Sequence, residues 1–318
     1  MTGPRLPLVY NPRAGMGAMD PEGLMARLPE AVRDRLELVP LMPPFDYTPI
    51  IEQAVAAGGP LLVWGGDGTI HHACRALVAR GCPAPLGAVP GGSGNGIARG
   101  LRTPLDPAGA VVRLLEGRTL AMDLGRLDGE PFVNLCGTGF EAMVAKAFDG
   151  AKGRGFRTYA LEALRLWRQH PATKLTWDAQ LPEHPETPGR MERLRAAWRG
   201  PQPVLPEAAW SLCFANLPQY GSGLWIAPWA DPTDGALQWA TLARPSGFDL
   251  LAKVHVLFRE GGQSSLRREG RLARATLRLE RPLPWHLDGE PVAERDRAEL
   301  SVEPRAFRMQ VTEACPWL

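Results

Sequence analysis

The sequence predicts an α/β plus β architecture. A doubly wound α/β domain covers residues 1–124, and an antiparallel β-sandwich domain covers 125–304. The tail from about 305 to 318 is expected to join the first domain. Three observations carry this. The chain has 318 residues, which at roughly 100–200 residues per domain suits two domains. Up to about residue 117, short apolar runs alternate with helical patterns, the rhythm of a mostly parallel sheet. Beyond it, strand patterns follow one another with few helices between them, as in a sandwich.

In order, residues 7–11 read as a buried strand. Asp20-Pro21 is a helix start, and Leu24, Leu28 and Val32 continue its apolar stripe. Leu36–Met42 is strand-like. Ile50, Ile51, Ala54 and Val55 form a helical pattern stopped by Gly58-Gly59. Pro60–Trp64 is an apolar strand, 70–80 a helix ended by Gly81, 85–89 a strand, and Val111–Leu115 part of a helix. Segments 118–127 and 131–138 flank Asp128-Gly129, a hairpin signal. Further strands are expected at 174–179, 210–217, 223–227, 236–243, 271–280 and 298–303, with helices near 156–169 and 246–260. The proline-rich stretch 180–207 reads as a long insertion or loop.

Composition narrows the functional classes. Hydrophobic residues make up 45% and charged residues 22%, ordinary for a globular protein. Lys+Arg 36 against Asp+Glu 34 leaves a net charge of +2, which gives no ground for nucleic acid as a partner. Five cysteines without C-x-x-C spacing suggest neither a zinc site nor a disulfide framework, and fit buried thiols in a reducing cytoplasm. The first residues lack the apolar core of a signal peptide. No apolar stretch approaches the ~20 residues of a membrane span. Of ten tryptophans, only Trp64 precedes Leu166.

The most informative segment is Leu62-Val-Trp-Gly-Gly-Asp-Gly-Thr69. Gly65, Gly66 and Gly68 stand between a strand and a helix, where backbone can approach a ligand closely. The helix opening near Thr69 aims free N–H groups and its dipole at the loop, which suits phosphate. Asp67 would repel a polyphosphate unless Mg²⁺ or its bound water lies between them. The plain alternative is a tight turn capped by Asp67. Twenty-two residues after it comes Gly91-Gly92-Ser93-Gly94-Asn95, again between a strand and a helix. Ser93 and Asn95 can bond phosphate or ribose oxygens. Two such loops on one sheet edge form a nucleotide site. Asn11 and Arg13, after the first strand, reach the same edge, Arg13 either on phosphate or in solvent.

These segments, with His286-Leu-Asp-Gly-Glu290 following in order, resemble the diacylglycerol kinase catalytic-domain family, which includes bacterial soluble lipid kinases and sphingosine kinases. Val133–Ala142 and the segments around Asn216, Gly221, Ile226–Pro228 and Asp234-Gly235 extend the likeness over nearly the whole chain. The resemblance implies ATP and Mg²⁺ between the two domains, and phosphoryl transfer to the hydroxyl of a lipid substrate. It departs at Asn95-Gly96, where many bacterial members carry Asn-Asp. Asp123 matches a position that can join the same Mg²⁺–water network, or it is a strand-end turn residue. Asp231 and Asp234 match a structural Mg²⁺ segment, or form a polar turn.

The resemblance also suggests catalytic roles. Asp288 is the expected base, with Glu290 orienting it or holding metal-bound water. Asp67 is the rival base. Without the family, Asp288-Gly289 would read as a hairpin turn. His71 and His72 read as capping or packing residues. Tyr220, Leu224, Trp225 and Trp229 line an acyl pocket or fill the sandwich core. The helix near 156–169, with Leu161, Leu164 and Trp167 beside Arg157, Arg165 and Arg168, lies on anionic lipid or is simply amphipathic core. The expected location is cytoplasmic, peripheral at the inner membrane face, with a homodimer as a further expectation. Two other functions compete: an NAD kinase, which shares GGDGT, and a non-catalytic nucleotide-binding regulator.

Overall fold

The structure is a computed structural model that describes residues 3–12, 20–43, 45–149, 165–167, 171–180, 206–247, 249, 254–262 and 264–318. Arg13, nearly all of the helix expected near 156–169, and residues 181–205 of the expected insertion lie outside the described residues.

The first half is built on four parallel strands: β1 (Leu6–Tyr10), β2 (Leu36–Pro40), β3 (Leu61–Gly65) and β4 (Leu86–Pro90), in the order β2-β1-β3-β4. Side chains alternate between two faces with the period of a strand. Val9, Leu61, Val63, Leu86 and Ala88 pack on one face, against α3 (Thr48–Ala56) and α4 (Asp67–Val78). Leu6, Leu8, Leu62, Trp64 and Val89 pack on the other, with α1 (Pro21–Arg27) and α6 (Pro107–Glu116). Both faces are covered, so the strands read as continuous apolar runs. The apolar stripe expected to run from residue 21 to 32 is broken. Leu28-Pro29 ends α1, and a short α2 (Glu30–Arg33) follows, because proline cannot continue a helix and extends the residue before it.

A hairpin of β5 (Arg118–Leu127) and β6 (Glu130–Phe132) leads into the second half. Its turn residues Asp128 and Gly129 both have positive φ, the signature of a two-residue I′ turn. The segment expected as one strand, 131–138, is split by residues 133 and 134 into β6 and β7 (Leu135–Gly139). α7 (Phe140–Asp149) then follows, an element the sequence reading missed.

The sandwich consists of antiparallel strands around Phe132, Phe214, Trp239 and Trp285. In it β7 lies between β10 (Ser211–Ala215) and β15 (Arg274–Leu287). β10 pairs β13 (Leu237–Leu242), which pairs β14 (Arg267–Leu272). β8 (Thr173–Gln180) pairs the start of β15 and the short β9 (Ala208–Ala209). β11 (Gln219–Gly221) and β12 (Leu224–Trp225) form a separate hairpin. Of the helix expected over 246–260, Val254–Phe258 is a 3-10 turn, and residues 248 and 250–253 lie outside the described residues.

The last strand, β16 (Glu290–Val311), is far longer than the expected 298–303. Its first part pairs β15. Its end pairs β5 and lies parallel to β4, with Met309 opposite Leu86. The register breaks between Glu303 and Phe307. Pro304 has no N–H there and Arg305 has a φ of 52°, so the alternation that marks a strand is lost locally. Phe307, Met309 and Val311 enter the core of the first half. Phe307→Ala should therefore lower unfolding stability by about 3–5 kcal/mol, measured by urea denaturation, and should loosen the core of the first half rather than the sandwich.

Candidate active site

Both glycine loops leave the carboxyl edge of the parallel sheet. Gly65 pairs with Pro90 across β3 and β4, and Asn11 follows β1 on the same edge. The loops touch. Gly91 N donates to Gly65 O at 2.9 Å, and a Cβ on Gly92 would lie 2.6 Å from Gly66 Cα. Only glycine permits this approach. Gly66 is the N-cap of α4 and supplies no side-chain acceptor. The opening N–H groups of this 12-residue helix therefore face the loop edge without a cap.

The second loop is used differently from the expectation. Asn95 folds onto its own loop: Nδ2 donates to Gly92 O at 2.7 Å, and Oδ1 accepts from Gly92 N at 2.8 Å. Its φ is 51°. The short α5 (Gly96–Gly100) that follows is capped from the first loop. Asp67 Oδ2 accepts from Gly96 N at 2.9 Å, and Oδ1 accepts from Ile97 N at 3.0 Å. Asp67 is thus the tether between the loops. Burial pushes its carboxyl up to about 6 against the pull of these two donors, and the nearby Asp288 charge adds to the rise. Ser93 is exposed.

Gly96 stands where an acidic residue was expected from the resemblance. A Cβ there would meet Tyr220 O at 2.3 Å and Asn134 Nδ2 at 2.9 Å. The β11–β12 hairpin fills the space that a side chain would need. Ser222 N also donates to Gly94 O at 3.0 Å. Tyr220, Leu224, Trp225 and Trp229 are partly exposed on this segment, rather than sealed in the sandwich core. Trp239 and Trp285 fill that core instead.

Asp288 and Gly289 form the hairpin between β15 and β16, with Leu287 paired to Glu290. Both turn residues have positive φ, as at Asp128-Gly129. The surroundings separate the two turns. Asp128 is exposed and accepts from Glu299 N at 2.7 Å and from Arg295. The Asp288 side chain has 0% exposure. Its Oδ1 accepts from Asn134 N (2.8 Å) and Leu135 N (3.0 Å). Its Oδ2 accepts from Val133 N (3.1 Å) and faces His71 Nδ1 at 2.9 Å. Sequence reasoning had not placed His71 in the site. Glu290 is partly exposed, and its carboxylate lies on the GGDGT loop: a Cβ on Gly68 would be 1.8 Å from Glu290 Oε1. Burial lowers the pKa of the adjacent His72, with the Glu290 charge opposing.

The carboxylates proposed for metal divide into two places. Asp67 lies between the loops, with Glu290 on the neighbouring Gly68. Asp123 does not join them. Its Oδ2 accepts from Gly235 N at 2.7 Å and its Oδ1 from Arg305 N at 2.8 Å, so it faces the 231–235 loop. Burial raises its pKa against those donors. In that loop Asp231 Oδ1 is turned onto Thr233, accepting from its N at 3.0 Å and Oγ1 at 2.7 Å. Asp234 meets a cation the chain itself supplies, Arg271 Nη2, 2.5 Å from Oδ2. Burial pushes Asp234 up to about 7, opposed by Arg271, while the Asp231 and Asp123 charges add to the rise. Among the described residues no three His, Cys, Asp or Glu side chains are grouped to hold a metal ion. In the 231–235 loop Asp234 already has the Arg271 guanidinium beside it as a cation. The region of Asp67 and Glu290 fits a cation carried in with phosphate.

Residues 5–127 match the diacylglycerol kinase catalytic domain, and residues 134–311 match the YegS C-terminal NAD kinase beta sandwich-like domain. The chain is 30% identical over 277 residues to a probable lipid kinase YegS-like of Pseudomonas aeruginosa, covering 86% of this chain and 83% of that protein. It is 28% identical over 312 residues to a diacylglycerol kinase of Mycobacterium tuberculosis, covering 94% and 92%. A crystal structure of a diacylglycerol kinase from Bacillus anthracis superposes with a TM-score of 0.66 at 16% identity, covering 99% of both chains. No helix among the described residues is long and apolar enough to cross a membrane.

Arg271→Met would leave the half-buried Asp234 without that cation. The melting temperature of the variant should fall and Mg²⁺ should partly restore it, whereas EDTA should leave the wild-type melting temperature unchanged.

Proposed function

This chain belongs to the diacylglycerol kinase catalytic-domain family of lipid kinases, and on that premise we propose that it transfers the γ-phosphate of Mg·ATP to a lipid hydroxyl. The acceptor class is diacylglycerol, a sphingoid base or a related lipid. The observation that supports this best is the seating of the β11–β12 hairpin on the second glycine loop, Ser222 N to Gly94 O at 3.0 Å. On this reading the partly exposed Tyr220, Leu224 and Trp225 of that hairpin meet the apolar part of the acceptor.

In this reading the uncapped start of α4 and the 91–94 backbone cradle the phosphates, with Asn11 and Ser93 at the rim. Asp67 and Glu290 would hold Mg²⁺ or its water, and the ion supplies charge neutralisation at the transferred phosphoryl group. The transition state of such a transfer is loose, so positioning and electrostatics supply most of the rate. Asp288 is the base. Its carboxylate already has a donor for each of its roughly four lone pairs, so an acceptor hydroxyl must take the place of one of them. The longest contact is Val133 N on Oδ2, at 3.1 Å. In that place the hydroxyl gives its proton to Oδ2 as its oxygen bonds to the γ-phosphorus, while the bond from that phosphorus to the β–γ bridging oxygen breaks and ADP leaves.

The test is incubation with [γ-³²P]ATP and a panel of diacylglycerol, sphingosine, phosphatidylglycerol and NAD, resolved by thin-layer chromatography. A labelled lipid is expected, and label in NADP alone would overturn the reading. Asp288→Asn should retain ATP binding and lose about 10²–10⁴-fold in turnover. Near wild-type turnover in that variant would remove Asp288 as base.

A further inference from the structure

His71 lies on the first turn of α4, the helix that opens at the GGDGT loop. It is buried, and its Nδ1 is 2.9 Å from Asp288 Oδ2. The other three donors to Asp288 are backbone N–H groups of residues 133–135, all from the second half. His71 is therefore the side-chain donor, and the contact from the phosphate helix. An ionised carboxylate accepts hydrogen bonds and donates none. With Asp288 Oδ2 as the acceptor, the proton between the two groups sits on Nδ1, the tautomer that a carboxylate selects in a histidine it orients.

We propose that His71 is a positioning residue for phosphoryl transfer: its Nδ1–H holds Asp288 Oδ2 at a fixed place relative to the phosphate-binding start of α4. One rigid helix then carries both the cradle for the transferred group and the anchor of the base. The kinetic consequence rests on the lipid kinase reading; the tautomer does not. Errors of about 1 Å in such an alignment cost roughly 10²-fold in rate.

Two substitutions separate N–H donation from packing. Asparagine places its Nδ2 where histidine has Nδ1, and leucine places a methyl group there. His71→Leu should lower kcat by about 10²-fold with KM for ATP nearly unchanged. His71→Asn should recover most of that loss. Wild-type kcat in His71→Leu would overturn the proposal. So would an equal loss in both variants when both melt at the wild-type temperature.

A second measurement needs neither a folded position-71 variant nor activity. ¹H–¹⁵N correlation through the imidazole of the wild-type chain should show His71 as the Nδ1–H tautomer, and Asp288→Asn should shift it toward Nε2–H. An Nε2–H tautomer in the wild type would overturn the proposal. If the wild type labels no lipid but shows Nδ1–H, the kinase reading fails while the His71–Asp288 contact stands.

Discussion

The arrangement depends on one buried acidic side chain, Asp288. Taking a carboxylate out of water costs several kcal/mol unless donors replace the lost hydration. Asp288 receives three backbone N–H groups from residues 133–135 and one imidazole from α4. Its own N–H returns a hydrogen bond to Leu135 O at 2.8 Å. The β15–β16 turn is therefore fixed against both the β6–β7 connection and the helix that follows the first glycine loop. Because the turn is fixed, Glu290 two residues later comes to rest on Gly68. Asp128-Gly129 has the same turn backbone without these surroundings, and it is only a hairpin.

The second constraint is the contact between the glycine loops. Asp67 caps α5, so the backbone donors at that helix start are spent inside the protein. Asn95 closes its own loop in the same way. What remains open is the start of α4, where Gly66 offers no cap. The two loops are thus built unequally: the first opens onto the start of α4, and the second is braced by Asp67 and by the hairpin behind Gly96. A loop that is already hydrogen-bonded needs no reorganisation when charge develops beside it.

Most of the fold was legible in the sequence, because strands buried on both faces and glycine-punctuated helices leave strong local signals. The misreadings share a cause: each depends on contacts distant in sequence. Gly96 looked like a missing carboxylate, and only the position of Tyr220 O shows that no side chain fits. Asp123 looked like part of the nucleotide site, but its partners Gly235 and Arg305 lie more than a hundred residues away. Asp231 and Asp234 read either as a metal segment or as a polar turn, and Arg271 beside Asp234 comes from a strand distant in sequence. His71 carried no signal at all, since a histidine on a helix gains its role from the carboxylate that it meets 217 residues later. The shortened α1 is the exception, for Pro29 was visible and the apolar stripe was allowed to override it.

The continuity of β16 explains how two halves of different construction hold one site. Domains joined only by linkers are expected to move relative to each other. Here a single strand starts at Glu290 on the GGDGT loop, crosses the sandwich, breaks register at Pro304-Arg305, and ends beside β4 with Phe307, Met309 and Val311 in the first core. β4 in turn ends at Pro90, where the second glycine loop begins. A path of paired backbone therefore runs from the Asp288–Glu290 turn to the glycine loops. The His71–Asp288 contact closes that path into a ring. Displacing Asp288 from the start of α4 would require breaking either sheet pairing or a buried hydrogen bond, and both resist displacement far more than a hinge would.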